Sequence, residues 1–182
     1  QFEIRHDLVW VRLSENISFR FVKNGHILGS CFIEFDCFGK KIVFSGDIGR
    51  YNNDLLADPS IIEDADYLVM ESTYGDRLHP KALAIDELET AILKTMDRGG
   101  NLLIPSFAVE RAQEIMFLIN KLKEENRIPD FIPVYMDSPM GANATDTFLN
   151  HPNWHKLPTS EIHLLHKHIS IIRDFSDSMK VM

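Results

Sequence analysis

The segment FSGDIGR, residues 44–50, places an aspartate between an apolar run and a glycine turn. The run that precedes it, KKIVF, has the length and composition of a short buried strand. An aspartate at the carboxyl end of a strand can simply close a turn or cap a helix, so Asp47 alone leaves a structural and a functional interpretation open. Other polar side chains in the same kind of position would favour the functional one.

Two further segments repeat this arrangement. In NGHILGS (24–30) His26 lies between glycines just before a predicted strand, and in ESTYG (71–75) Glu71 ends the apolar run YLVM. A single histidine is more often structural or exposed than a ligand, whereas a carboxylate that emerges from a buried strand needs a partner for its charge. Because all three groups lie at strand–loop junctions, where α/β sheets build their sites, we predict that they form one site.

The pattern of apolar residues changes near residues 76–80. Before that point, alternation or short apolar runs predict strands in LVWVRL, ISFRFV, CFIEFDC, KKIVFSG and DYLVMES, with DCFGKK as a turn. After it, helical spacing predicts helices over 81–96 and 107–126, a strand in NLLIP between them and a strand in IPVYMDSP after them. Ser106 is a natural N-cap for the second helix. Three phenylalanines are predicted to lie in the core: Phe107, Phe117 and Phe131. This alternation of predicted strands and helices predicts an α/β fold with a parallel sheet.

Composition limits the functional classes. The chain has 182 residues, 45% of them apolar and 25% charged, which suits one ordinary domain or two small ones. Its net charge of −8 means that any nucleic-acid binding must be localised. Cys31 and Cys37 cannot build a disulfide framework, and no apolar run is long enough to span a membrane, so a cytoplasmic protein without a membrane partner is expected. The chain starts without methionine and stops after an apolar run, and is therefore expected to be an internal piece of a longer protein.

A family resemblance rests on the order of these motifs. NGHILGS, FSGDIGR and ESTYGDR resemble the later metal motifs of the metallo-β-lactamase superfamily, and GGNLLIPSFAVERAQE followed by PVYMDSPM resembles its β-CASP branch of RNA- and DNA-processing nucleases. Within that branch, ESTYG and RAQE are most similar to the RNA-processing members of the cleavage and polyadenylation factor type. The resemblance implies part of an αββα metallo-β-lactamase fold over residues 1–77, followed by a partial β-CASP domain over residues 78–182.

The resemblance also implies a role for single residues. His26 matches a histidine that ligates one zinc ion, and Asp47 matches the aspartate that bridges two. Glu71 matches an acidic residue that orients an active-site histidine. These roles agree with the chemistry, since phosphodiester hydrolysis suits two metal ions about 3.5–4 Å apart, and imidazole and carboxylate are ordinary zinc ligands. The second-shell carboxylate would help that histidine to protonate the leaving oxygen.

The HxHxDH cluster that such enzymes carry is missing from the sequence. The cluster HLLHKH contains His163, His166 and His168, but it lacks the aspartate and follows the other motifs, so it is predicted to be a solvated helix or loop. His26 and Asp47 supply only two of the four ligands that one zinc ion needs. We therefore expect this piece to bind zinc weakly or not at all and to be inactive alone, whereas the complete enzyme would hold two zinc ions.

Two residues of the β-CASP-like segment are candidates for substrate binding. Arg111 in VERAQE and Ser138 in MDSPM could contact RNA phosphates. Equally ordinary explanations are a surface arginine paired with Glu110 or Glu114 and a serine that caps a helix. Both explanations stay open at this level.

The sequence is therefore interpreted as part of a zinc-dependent ribonuclease that hydrolyses RNA phosphodiester bonds by two-metal catalysis. In the complete enzyme Asp47 and Glu71 would serve catalysis, with His26 and Asp47 holding metal and RNA as the partner. A homodimer is expected by analogy with bacterial relatives alone. The alternatives are a DNA-processing β-CASP nuclease and a catalytically inactive β-CASP scaffold subunit.

Overall fold

Five strands form one sheet in the order β1-β2-β3-β4-β5, in a computed structural model that describes residues 3–78 and 83–181. The strands are β1 (Val11–Ser14), β2 (Ile17–Lys23), β3 (Cys31–Cys37), β4 (Lys40–Phe44) and β5 (Tyr67–Val69). The pairs β1–β2, β2–β3 and β3–β4 are antiparallel, and β5 runs parallel to β4. All five lie in the first of two compact units, Gln1–Leu78 and His79–Met182.

The hairpin between β3 and β4 follows from its turn residues. Cys37 faces Lys40, so two residues form the turn, and both have positive φ: 54° for Phe38 and 72° for Gly39. A two-residue turn of this kind matches the twist of the flanking strands but requires positive φ at both positions, which glycine adopts without strain. The Asp36 carboxylate accepts a hydrogen bond from the Gly39 amide at 3.2 Å, which supports the turn.

The parallel pairing of β4 and β5 positions the two carboxylates of the predicted site. Phe44 faces Val69 in the register, and the Ser45 amide extends the ladder by donating to the main-chain oxygen of Val69 at 2.9 Å. The chain leaves both strands at the same edge of the sheet. The main chain therefore enters the segments that carry Asp47 and Glu71 from adjacent strand ends.

On one face of the sheet Val22, Phe32 and Val43 form a small buried core.

The second unit is mixed α/β, as predicted. Its helices are α1 (Ala84–Asp97), α2 (Arg111–Glu124), α3 (Pro139–Asn150) and α4 (Phe175–Val181), with short 3₁₀ turns at Pro152–Trp154 and Ile162–Leu165. Strands β6 (Tyr135–Asp137) and β7 (Ser170–Ile172) pair in parallel. A core of Ile92, Ile119, Leu122 and Ile128 joins α1 to α2, with Ile85 and Leu88 packed against it at the predicted helical spacing.

The prediction was wrong for the segment before α2. Residues 101–105 form no strand, because no other strand of the described chain pairs with them. The helix begins at Arg111, with Glu110 as its N-cap residue, and the Ser106 hydroxyl instead donates to the main-chain oxygen of Ile104 at 3.3 Å. Phe117 is buried in α2, but Phe107 and Phe131 are 84% and 79% exposed. Both exposed phenylalanines lie outside the helices and strands, where an apolar residue is buried only if another element covers it.

None of the helices in the described ranges has the combination of length and apolar composition that crossing a membrane requires.

Candidate metal site

The structure brings His26 and Asp47 together. Nε2 of His26 lies 3.7 Å from Oδ2 of Asp47. Two ligand atoms of a tetrahedral zinc ion, each about 2.0–2.2 Å from the metal, lie roughly 3.4 Å apart. The observed separation is close to that value. The His26 and Asp47 side chains are 44% and 70% exposed, respectively, so both are accessible from solvent.

His26 and Asp47 are suitable zinc ligands, but two ligands are too few for a complete zinc site. Imidazole nitrogen and carboxylate oxygen are ordinary zinc ligands, and a structural or catalytic zinc site takes three or four protein groups. Across residues 3–78 and 83–181, no group of three or more His, Cys, Asp or Glu side chains is arranged to hold a metal ion. The described residues therefore contribute two ligands of a site that other groups would have to complete.

Glu71 supports the loop that carries Asp47. Its Oε1 accepts a hydrogen bond from the Ile48 amide at 2.5 Å, and its Oε2 accepts one from the Thr73 hydroxyl at 2.7 Å. The Ile48 amide, followed by the Thr73 hydroxyl, lowers the pKa of Glu71, so this carboxyl stays ionised at neutral pH. His26 lies within electrostatic reach of Glu71 and lowers that pKa further. The sequence pointed to Glu71 but not to Ile48 or Thr73.

The loops that carry His26 and Asp47 touch through their main chains. The Gly49 amide donates to the main-chain oxygen of Asn24 at 2.9 Å. A Cβ atom at Gly49 would lie 2.0 Å from the main-chain oxygen of Gly25, so no side chain fits at this contact. The spacing of the two donor groups is thus set by a backbone joint that requires glycine.

Comparison with known proteins identifies the second unit. The Beta-Casp domain model matches residues 112–182. These residues form a Beta-Casp domain. The chain is 40% identical over 140 residues to Ribonuclease TTHA0252 of Thermus thermophilus, which covers 76% of this chain and 32% of the relative. It is 37% identical over 147 residues to the RNase J-like protein of Methanocaldococcus jannaschii, which covers 79% of this chain and 34% of the relative.

A eukaryotic protein belongs to the same set of relatives. Cleavage and polyadenylation specificity factor 73 of Drosophila melanogaster is 29% identical over 154 residues, covering 84% of this chain and 22% of the relative. The comparisons confirm the resemblance to RNA-processing β-CASP nucleases. The chain spans about a third of the length of the first two relatives.

In the second unit, the two substrate-binding candidates make structural contacts. Ser138 is the N-cap of α3, and its hydroxyl oxygen accepts a hydrogen bond from the Gly141 amide at 3.0 Å. Arg111 pairs with Glu114 one turn further along α2, at 2.6 Å. These are the capping and ion-pair arrangements that the sequence left open. Contact of either residue with substrate stays a prediction.

Among the described residues of the second unit, no histidine belongs to a group that could hold a metal ion. His163 and His166 are exposed at a 3₁₀ turn, and Nε2 of His168 contacts a carboxylate oxygen of Glu124 at 2.9 Å. His168 is thereby tied to the end of α2. The cluster HLLHKH is a short turn and loop, as predicted, but it is not fully solvated because Leu164 and Leu165 are buried.

Replacing Ser138 with alanine is expected to destabilise α3 by about 1 kcal/mol, because the Gly141 amide loses its cap. Aspartate caps a helix about as well as serine, so Ser138→Asp should restore the stability. Hydrogen exchange of the α3 amides in the two variants measures this difference. If the hydroxyl instead contacts an RNA phosphate, Ser138→Asp would weaken RNA binding by more than tenfold through charge repulsion, and the capping interpretation would be insufficient.

Proposed function

We propose that this chain is part of a zinc-dependent ribonuclease that hydrolyses RNA phosphodiester bonds with two metal ions. The observation that carries the proposal is the 3.7 Å separation of the His26 and Asp47 donor atoms at the edge of the sheet. The similarity to Ribonuclease TTHA0252 and the RNase J-like protein, both named as ribonucleases, supports RNA as the substrate.

The chain's own residues would have distinct tasks. His26 and Asp47 would hold metal, and the exposed Asp47 carboxylate has a second oxygen available for a second ion. When bound, the ions supply Lewis-acid stabilisation of the phosphate and activation of water. Glu71, held ionised by the Ile48 amide and the Thr73 hydroxyl, fixes the main chain that follows Asp47. Its negative charge would also favour the protonated form of a proton-donating histidine other than the proposed ligand His26, which suits the proposed reaction.

The acidic composition agrees with a localised mode of RNA binding. A net charge of −8 does not attract phosphates over the whole surface. Metal ions at the His26–Asp47 pair would supply concentrated positive charge where the reacting phosphate must lie. We also infer a cytoplasmic location, which the free thiols of Cys31 and Cys37 support.

An assay on matched RNA and DNA strands of one sequence tests the proposal in the full-length gene product. With zinc present, RNA is expected to be cleaved at least about tenfold faster than DNA, and a chelator should stop the reaction. Faster cleavage of DNA would favour the DNA-processing alternative. Absence of cleavage of either strand by protein loaded with zinc would favour the inactive scaffold subunit.

A further inference from the structure

Asn24 is a buried polar residue at the joint between the two ligand-bearing loops. It is 1% exposed and lies two residues before His26. Its carboxamide nitrogen donates two hydrogen bonds, to the main-chain oxygens of Ser45 and Asp47, both at 2.9 Å. Its carboxamide oxygen accepts one from the His26 amide at 3.3 Å. One planar group therefore contacts the main chain of both proposed ligands.

These contacts fix the shape of the turn that carries Asp47. The two acceptors lie on either side of Gly46, whose φ is 54°, so the carboxamide bridges the ends of a tight turn. The Asn24 main chain adds a third link, because its oxygen accepts from the Gly49 amide at 2.9 Å. The Ser30 hydroxyl oxygen accepts from the His26 amide at 3.1 Å and closes the other loop.

We propose that Asn24 is a positioning residue that sets the spacing of His26 and Asp47 for metal binding. This inference rests on the proposed function. Only a carboxamide of this length presents two donor hydrogens and an acceptor oxygen from one rigid plane. Aspartate has the same shape but would place an acceptor oxygen against the two carbonyl oxygens of Ser45 and Asp47. Serine is too short, and glutamine is longer by one methylene.

Asn24→Asp in the full-length protein is therefore the test, with cobalt(II) as the metal probe. Titration followed by visible absorption should show cobalt affinity lowered by about 10- to 100-fold, the usual effect of removing a group that orients a ligand. The amides of His26 and Gly49 should also exchange with solvent faster than in the wild type without any metal present, since the joint between the loops is loosened.

Asn120→Asp is the matched control. Asn120 is 0% exposed, and its carboxamide nitrogen donates to the main-chain oxygen of Met116 at 2.8 Å, while its oxygen accepts from the His168 amide at 2.9 Å. The change has the same shape and burial but lies in the other unit, so it should lower stability while leaving cobalt affinity within about twofold of wild type. Cobalt affinities that are equal in the two variants would overturn the proposal.

Two further outcomes remain decisive. If Asn24→Asp does not fold, the test becomes hydrogen exchange of the Asn24 carboxamide protons in the wild type. Exchange as fast as at the exposed Asn16 would overturn the hydrogen bonds from Asn24 to Ser45 and Asp47, and slow exchange would support them. If the wild type binds no cobalt, the proposed zinc site fails. In that case, unchanged exchange at His26 and Gly49 in Asn24→Asp would overturn the positioning role as well.

Discussion

Asp47→Ala is expected to lower the rate of RNA cleavage by the full-length protein by about a thousandfold. Metal ions contribute several kcal/mol to the stabilisation of a phosphodiester transition state, and each 1.4 kcal/mol corresponds to about tenfold in rate. Asp47 is the proposed ligand of both ions, so its loss should remove most of that contribution. The comparison to make is kcat/KM on one RNA strand at saturating zinc, for the variant and the wild type.

A change in protein stability should not account for the slower cleavage by Asp47→Ala. The Asp47 side chain is 70% exposed, so its replacement should change the free energy of unfolding by no more than about 0.5 kcal/mol. Asp54→Ala removes an exposed carboxylate from the same unit and serves as the matched control, with cleavage unchanged. His26→Ala should resemble Asp47→Ala. Retention of more than a tenth of the wild-type rate by Asp47→Ala would contradict the assignment of Asp47 as a metal ligand.

Glu110→Gly is expected to stabilise the second unit by about 1–2 kcal/mol. Glu110 has φ 70° and ψ −61°, and the Arg111 amide donates to the main-chain oxygen of Val109 at 3.0 Å. That geometry is the rare and strained form of the γ-turn, which a glycine adopts more easily. The Glu110 side chain is also buried, with no hydrogen-bond partner for either carboxylate oxygen.

The same residue should make stability depend on pH. Burial, and then the negative charge of Glu114, raise the pKa of Glu110 to about 8, although Arg111 acts in the opposite direction. Because the folded-state pKa exceeds the ordinary value of 4.5, the folded chain retains a proton that the unfolded chain has lost. The stability from Glu110 is fully present below about pH 4.5 and is lost as the pH rises, by as much as about 4 kcal/mol at pH 8.

Glu110→Gln separates the two effects. Glutamine keeps the side-chain volume and the strained main chain but cannot titrate, so its stability should vary less between pH 5 and 8 than that of the wild type. Hydrogen exchange of the α2 amides, measured at several pH values, reports the stability of this unit. Glu161→Gln, at an exposed position of the same unit, should keep the wild-type pH dependence. Equal pH slopes for Glu110→Gln and the wild type would show that Glu110 is ionised in the folded chain.

Local patterns in the sequence predicted much of the fold and the proximity of His26 and Asp47. Alternation identified β3, and DCFGKK identified its turn, because strand faces and positive φ values depend on neighbouring residues. His26 and Asp47 stood out because polar residues at strand ends lie at one edge of the sheet. Pairing of strands that are neighbours in the chain is enough to bring these two residues close together in space.

The features that the sequence did not predict correctly have a different origin, since they depend on contacts between residues far apart in the chain. NLLIP has a strand's composition, but a strand also needs a partner, which composition does not reveal. Ser106 looked like a cap, yet a buried residue with positive φ, Glu110, starts the helix. Nothing in the sequence marked Asn24, because its acceptors lie 21 and 23 positions away.

The main-chain joint between Gly25 and Gly49 divides the positions around the site into two kinds. A carbon added at Gly49 would push the two ligand-bearing loops apart, and a carbon added at Gly25 would lie 2.5 Å from the main-chain oxygen of Ala57. The neighbouring Ile27 is 36% exposed, so a different side chain at this position has access to solvent. Metal preference could therefore be engineered by varying the flanking positions while both glycines are kept.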